Sequence, residues 1–138
     1  MLFVSPERLL SWGGSRAQVW DLHSGEELCA YEEHSKNVDG VRLLSSELAL
    51  SWSWDQTLQT WDIEEAETLH IYNGHTDLVT GLVPLSDTQV LSWSKDRTLR
   101  VWQLGETESQ AVLTGHESAI AGACALPGNR VMSWERGA

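Results

Sequence analysis

Residues 50–58 read Leu-Ser-Trp-Ser-Trp-Asp-Gln-Thr-Leu, and residues 91–99 read Leu-Ser-Trp-Ser-Lys-Asp-Arg-Thr-Leu. The two stretches agree at seven of nine positions and stand 41 residues apart. Each alternates apolar and polar residues as far as the Trp, turns through a polar stretch, and starts to alternate again, which is the pattern of two half-buried strands around a turn. The same 41-residue step recurs outside them, at Trp20, Trp61 and Trp102, at His34, His75 and His116, and at Gly40, Gly81 and Gly122. A further series, Ser11-Trp12, Ser51-Trp52, Ser92-Trp93 and Ser133-Trp134, keeps that step except for one interval of 40. That shorter interval marks a one-residue deletion near Gly13-Gly14-Ser15-Arg16. Segments 34–74 and 75–115 match at 16 of 41 positions without a gap. The eight Trp, against one Phe and two Tyr, are the product of this repetition.

Inside one period the pattern predicts four short strands, over residues 78–84, 89–93, 99–104 and 110–113, with polar turns at 95–98 and 105–108. No helical stretch of useful length is present, and none of Pro6, Pro84 and Pro127 falls in the middle of a strong strand. A repeat of about 40–45 residues built from four strands points to the blades of a β-propeller. The chain divides into an incomplete first blade (1–33), two full periods (34–74 and 75–115) and a half blade (116–138), all within one domain.

Gly74-His75 and Gly115-His116, with Trp102 some 27 residues after His75, resemble the Gly-His…Trp-Asp signature of the WD-repeat β-propellers. Trp20-Asp21 and Trp61-Asp62 match the closing dipeptide, whereas Trp102-Gln103 and Glu33-His34 depart from the signature. Family members usually carry Gly where Trp52 and Trp93 stand. The resemblance implies an all-β partial propeller of four-stranded antiparallel blades. It also implies that His34, Ser51, Asp55 and Trp61, and again His75, Ser92, Asp96 and Trp102, form a hydrogen-bonded tetrad within each blade.

Ser, His and Asp are also the residue types of a nucleophilic triad. A hydrolase needs one such set, whereas a requirement of every blade produces one per period, so the structural reading is favoured and no enzymatic activity is expected. A metal site from His34, His75 and His116 is disfavoured, because equivalent positions on neighbouring blades are too far apart for ligand bonds of about 2 Å. No cofactor is expected. Trp12, Trp52, Trp93 and Trp134 are read as packing between blades, with an aromatic binding platform as the alternative. Trp54, replaced by Lys95 in the next period, lies in a turn; with Lys95, Arg97 and Arg16 it forms the candidate binding surface. Glu26-Glu27, Glu64-Glu65-Glu67 and Glu106-Glu108 fall in the turn between third and fourth strands. Arg16, Lys95, Arg97 and Arg100 are assigned to the turn between second and third, at the other end of the blade.

The 138 residues (15.4 kDa) hold 20 acidic and 9 basic side chains, a formal charge of −11. That balance disfavours nucleic acid and anionic membranes as partners. The apolar run at residues 1–4 ends at Ser5-Pro6 and makes neither a leader nor a span. Cys29 and Cys124 are too few for a disulfide framework, and a cytoplasmic location is expected. The length gives about 3.4 periods of 41, fewer than the 4–8 blades of a closed ring. Completion by homo-oligomerisation is therefore expected, a dimer above all, joining residues 119–123 and 130–134 to residues 18–22 and 28–31 of a partner. The expected function is a non-catalytic protein-interaction scaffold; the alternative is a carbohydrate-binding oligomer with Trp-lined sites between blades.

Overall fold

The alternating stretches fold into fourteen strands, and the computed structural model describes residues 1–106 and 108–136. Strands β1 (Leu2–Ser5), β2 (Arg8–Gly13), β3 (Arg16–Asp21) and β4 (Glu27–Tyr31) form the first sheet. Strands β5 (Val38–Leu43), β6 (Leu48–Ser53), β7 (Leu58–Asp62) and β8 (Glu67–Tyr72) form the second. The third holds β9 (Val79–Pro84), β10 (Gln89–Ser94), β11 (Leu99–Gln103) and β12 (Ser109–Leu113). A hairpin, β13 (Ile120–Leu126) and β14 (Arg130–Glu135), ends the series. Every pairing is antiparallel between strands adjacent in the chain, and no helix occurs among the described residues. The chain is an all-β partial propeller, as expected. Among the described residues no helix is long and apolar enough to cross a membrane.

The first segment differs from the expectation of an incomplete blade. It holds all four strands, because the Ser5-Pro6-Glu7 turn lets even the four-residue β1 pair with β2. What it lacks is the loop His and the turn Asp: Ser15, in the tight β2–β3 turn, stands in the place of Asp55 and Asp96. β3 and β4, the strands expected to pair with a second copy, are already hydrogen-bonded within this sheet. A joint of that kind therefore needs β3 and β4 to leave β2.

No sheet has a core of its own. Leu10, Val19 and Tyr31 of the first sheet close on Val41, Ala49 and Trp61 of the second. Leu50, Leu58 and Tyr72 close on Val79, Val90 and Trp102 of the third, and Leu91 and Leu99 close on Ile120 and Ala123 of the hairpin. Burial between consecutive sheets supplies the apolar contact that stacks them. β5 touches β9 and β9 touches β13, so the first strands of successive blades form one inner wall.

Trp52, Trp93 and Trp134 each stand directly across from a glycine of the first strand, in the pairs Gly40–Trp52, Gly81–Trp93 and Gly122–Trp134. A Cβ at Gly40 or Gly81 would fall 2.1 Å from the indole, and one at Gly122 2.4 Å away. The indole lies across the neighbouring strand of its own sheet, and Trp52 and Trp93 also pack against the core shared with the next unit. The reading of these residues as inter-blade packing therefore needs this intra-blade contact added. Trp12 has no such partner, because the β1–β2 ladder starts at Leu2–Leu10.

Candidate functional site

The two Ser-x-Asp-x-Thr turns, Ser53-Trp54-Asp55-Gln56-Thr57 and Ser94-Lys95-Asp96-Arg97-Thr98, are built alike. Ser53 and Ser94 Oγ accept the backbone N–H of Asp55 and Asp96 at 3.0 Å. The same hydroxyls donate to the carbonyls of Asn37 (2.8 Å) and Asp77 (3.1 Å), which ties each turn to the connection entering its sheet. Thr57 and Thr98 donate from both the backbone N–H (2.9 Å) and Oγ1 (2.6 Å) to Oδ1 of the Asp two residues before. The middle residues, Gln56 (φ 75°) and Arg97 (φ 71°), take the left-handed conformation that this tight turn requires. Thr57 and Thr98 went unassigned from sequence, although the Asp-x-Thr spacing repeated in both copies was the signal.

So oriented, the other carboxylate oxygen meets the loop histidine. His34 Nδ1 lies 2.8 Å from Asp55 Oδ2, and His75 Nδ1 lies 2.8 Å from Asp96 Oδ2. A carboxylate only accepts, so Nδ1 carries the proton and Nε2 is left to accept. Ser51 and Ser92 Oγ stand 2.7 Å from that Nε2, in position to donate to it. Trp61 and Trp102 close the chain, donating Nε1–H to the same Oγ at 3.2 and 2.8 Å. The structure thus brings together His34, Ser51, Asp55 and Trp61, and likewise His75, Ser92, Asp96 and Trp102. The polarity runs one way, from indole through hydroxyl and imidazole to carboxylate.

Burial pushes the Asp55 carboxyl upward, but hydrogen bonds from His34 and Thr57 outweigh it and bring the group down to about 2. Asp96 is likewise held low against its burial, through Thr98 and His75. Burial also holds His75 below its ordinary 6.5, with Asp96 pulling the other way, so the neutral ring is the favoured form. The distances are those of a Ser–His–Asp triad, yet Ser51 and Ser92 are 0% exposed and the indole covers the hydroxyl. A substrate carbonyl has no approach to either oxygen.

The first sheet keeps only one link of this chain, Trp20 Nε1–H to Ser11 Oγ at 2.8 Å. The hairpin keeps the complementary link, His116 Nε2 to Ser133 Oγ at 2.7 Å. Its carboxylate was missed from sequence because it does not sit four residues after the serine. Glu135, two residues on, reaches back to His116 Nδ1 (3.4 Å) and accepts the backbone N–H of Ser118 (2.8 Å), as Asp96 accepts that of Thr76. His34, His75 and His116 lie in three separate units. Among the described residues no group of three or more His, Cys, Asp or Glu could hold a metal ion.

The tetrads order one end of the molecule, where the β2–β3-type turns and the connections between sheets lie. Trp54 is 41% exposed there, held by Nε1–H donation to Asp39 at 3.2 Å. Together with Lys95 and Arg136, one and two periods on, it lines a cavity of about 270 Å³ over Thr80 and Ala121 of the inner wall. Arg97 is exposed in the turn beside Lys95. Arg16 does not join them as a free charge, because its guanidinium bonds Glu32 (3.0 Å) and Glu27 (3.3 Å). Arg100 lies inside β11 rather than in the turn, donating to Ser109 Oγ at 2.9 Å. The turns with Glu26, Glu64, Glu65 and Glu106 lie at the far end.

Residues 66–103, which run from the β7–β8 turn through β11, match the family model described as WD domain, G-beta repeat. That segment is similar to a WD repeat. The matched WD segment includes the whole His75–Ser92–Asp96–Trp102 set, and the second sheet repeats its geometry link by link. No curated protein matches the chain.

Proposed function

We propose that this WD-repeat chain is a non-catalytic, cytoplasmic protein-interaction scaffold that binds its partner at the turn end through Trp54, Lys95 and Arg97. The observation that carries this reading is the sealing of both tetrads. Ser51 and Ser92, the two hydroxyls set against an imidazole, are sealed from solvent and spent on holding turns, and those turns present a half-exposed indole beside Lys95 at the rim of a cavity. Aromatic and Arg side chains at such a rim are the residues that anchor protein interfaces. Trp52 and Trp93 support this reading over the carbohydrate-binding alternative, since each lays its ring on a glycine of its own sheet instead of an open inter-blade site. The test is capture of partners by the intact chain and by a Trp54→Ala/Lys95→Glu variant of unchanged melting temperature. Proteins retained by the first and lost by the second support the proposal. Identical capture by both, or glycan binding that survives the double substitution, overturns it.

A further inference from the structure

We propose that Ser109 is a phosphorylation site, modified by a protein kinase with a nucleoside triphosphate, and that Arg100 is the built-in seat for the phosphate. Three observations converge on it: a register position shared by three sheets, a cation without a counter-ion, and access.

Glu27, Thr68 and Ser109 occupy one register position, opposite Trp20, Trp61 and Trp102 at the bulge of each ladder. Two residues before each tryptophan stand Gln18, Gln59 and Arg100. In the first sheet the position holds an anion with its donors. Glu27 Oε1 accepts from Gln18 Nε2 at 2.6 Å and pairs with Arg16 at 3.3 Å. In the second it holds a hydroxyl in neutral company, since Thr68 Oγ1 (2.6 Å) and Gln59 Oε1 both meet Tyr31 Oη. In the third it holds a hydroxyl beside a cation. Arg100 Nη1 donates to Ser109 Oγ at 2.9 Å, while Tyr72 Oη accepts the Gly105 N–H at 3.1 Å instead. The same place therefore accommodates a carboxylate in one sheet and offers a guanidinium in another.

Arg100 is half-buried, and its Nε–H is buried with no acceptor among the described residues. No ion pair among those residues includes it. Its place is nonetheless built. A Cβ at Gly74 would fall 2.7 Å from Nη1 and 3.1 Å from Cζ. One period earlier Glu33 stands at the place of Gly74, and Gln59 at that of Arg100. The glycine makes room for the guanidinium and at the same time removes a carboxylate that could have answered it. Burying part of an unanswered charge is costly. A phosphate on the hydroxyl that Arg100 already holds supplies the missing charge and several acceptor oxygens.

Ser109 opens β12, the outermost strand of its sheet, directly after the β11–β12 turn. Its neighbours Glu108 and Gln110 are exposed, as are Gly105 and Glu106 in the turn, so an enzyme reaches the segment from outside. In the step, Ser109 Oγ bonds the γ-phosphorus as the bond from that phosphorus to the β-phosphate oxygen breaks. The hydroxyl proton passes to the kinase's base, and the nucleoside diphosphate leaves. Thr68 is the contrasting case, because its hydroxyl is held by Tyr31 and no cation stands at Gln59. Glu106 and Glu108 flank the site with like charge, so a stabilising phosphate must draw on Arg100.

The test has two arms. The intact chain is incubated with γ-labelled ATP in an extract of its own cells, and the modified residues are located by mass spectrometry. Label on Ser109 is expected, and a Ser109→Ala chain should lack it. In the second arm the chain is made with phosphoserine at 109 and melted. Its melting temperature should rise by about 3 °C or more. Arg100→Gln, which restores the residue type of Gln18 and Gln59, should fold and should lose most of that gain. Inorganic phosphate added to the unmodified chain should give none of it. Label confined to other residues overturns the proposal. So does a phosphate at 109 that lowers the melting temperature, a gain indifferent to Arg100, or an equal gain from inorganic phosphate.

Discussion

The first and third sheets have the same four strands and differ in what holds their turns. In the third, His75, Asp96, Thr98 and Ser94 bind the β10–β11 turn to the connection entering the sheet. In the first, the same place is a two-residue Gly14-Ser15 turn with no carboxylate, and only Trp20–Ser11 remains. Backbone pairing and inter-sheet burial therefore suffice to form a blade. The polar chain is a second layer that fixes a longer turn, which by itself would gain little from the ladder. A short turn needs no such tie; a four-residue turn carrying an exposed Trp or Lys does.

Substitutions at matched positions sharpen this contrast. The largest effect is expected at Gly81, where any Cβ collides with Trp93: Gly81→Ala should cost about 3 kcal/mol, whereas Gly13→Ala meets nothing within 4 Å and should cost little. Chemical denaturation measures both. Adding Trp93→Ala to Gly81→Ala should recover part of the loss, and strict additivity would show that ring and glycine do not press on one another.

Next in size is Asp96→Ala, which strands the donors of His75, Thr76 and Thr98. A loss of about 1–3 kcal/mol is expected, against less than about 0.5 kcal/mol for Ser15→Ala at the corresponding place in the first sheet. Equal effects at the two sites would mean that the polar layer contributes nothing local.

Acid should act on the tetrad blades in two stages. A group whose value is depressed in the folded chain contributes stability above its unfolded value and loses it as the pH falls towards the folded one. His75 therefore begins to cost stability below 6.5. Asp55 and Asp96 follow below 3.8, with Asp55 exhausted near 2. The Asp55 contribution is about 1–2 kcal/mol once screening near the surface is allowed for. Stability curves against pH for the chain and for Asp55→Asn should run offset above 3.8 and converge in the lower window only.

The smallest effect expected is a gain. Arg97→Gly relieves a left-handed non-glycine residue (φ 71°) at the cost of a freer unfolded chain, for a net of about 0.5 kcal/mol. A loss of stability would mean that the Arg97 side chain holds the turn.

Most of the fold was legible because a 41-residue period sums weak local signals. One alternating strand is ambiguous, but the same alternation around Ser51, Ser92 and Ser133 is not. Residue types at fixed spacing likewise led to the members of each tetrad. What escaped depends on register between strands or on side-chain reach. Gly40, Gly81 and Gly122 shared the period, but only the ladder places each under an indole. Glu135 escaped because its longer side chain serves from a position two residues earlier than the periodic one. Arg16 looked free because its partners, Glu27 and Glu32, meet it only when β3 and β4 are side by side.

The placement of every core between sheets also bears on how such a chain grows. Copying one 41-residue segment in the genome adds one sheet and one new sandwich of apolar side chains in the same event. Neither half of the existing molecule has to be redesigned around the insertion. Because the segment from His34 to Gly74 carries the loop histidine, the turn aspartate, Trp52 and Trp61 together, the copy arrives with its own fastening. The near-identity of residues 50–58 and 91–99 is what a duplication of that unit leaves behind.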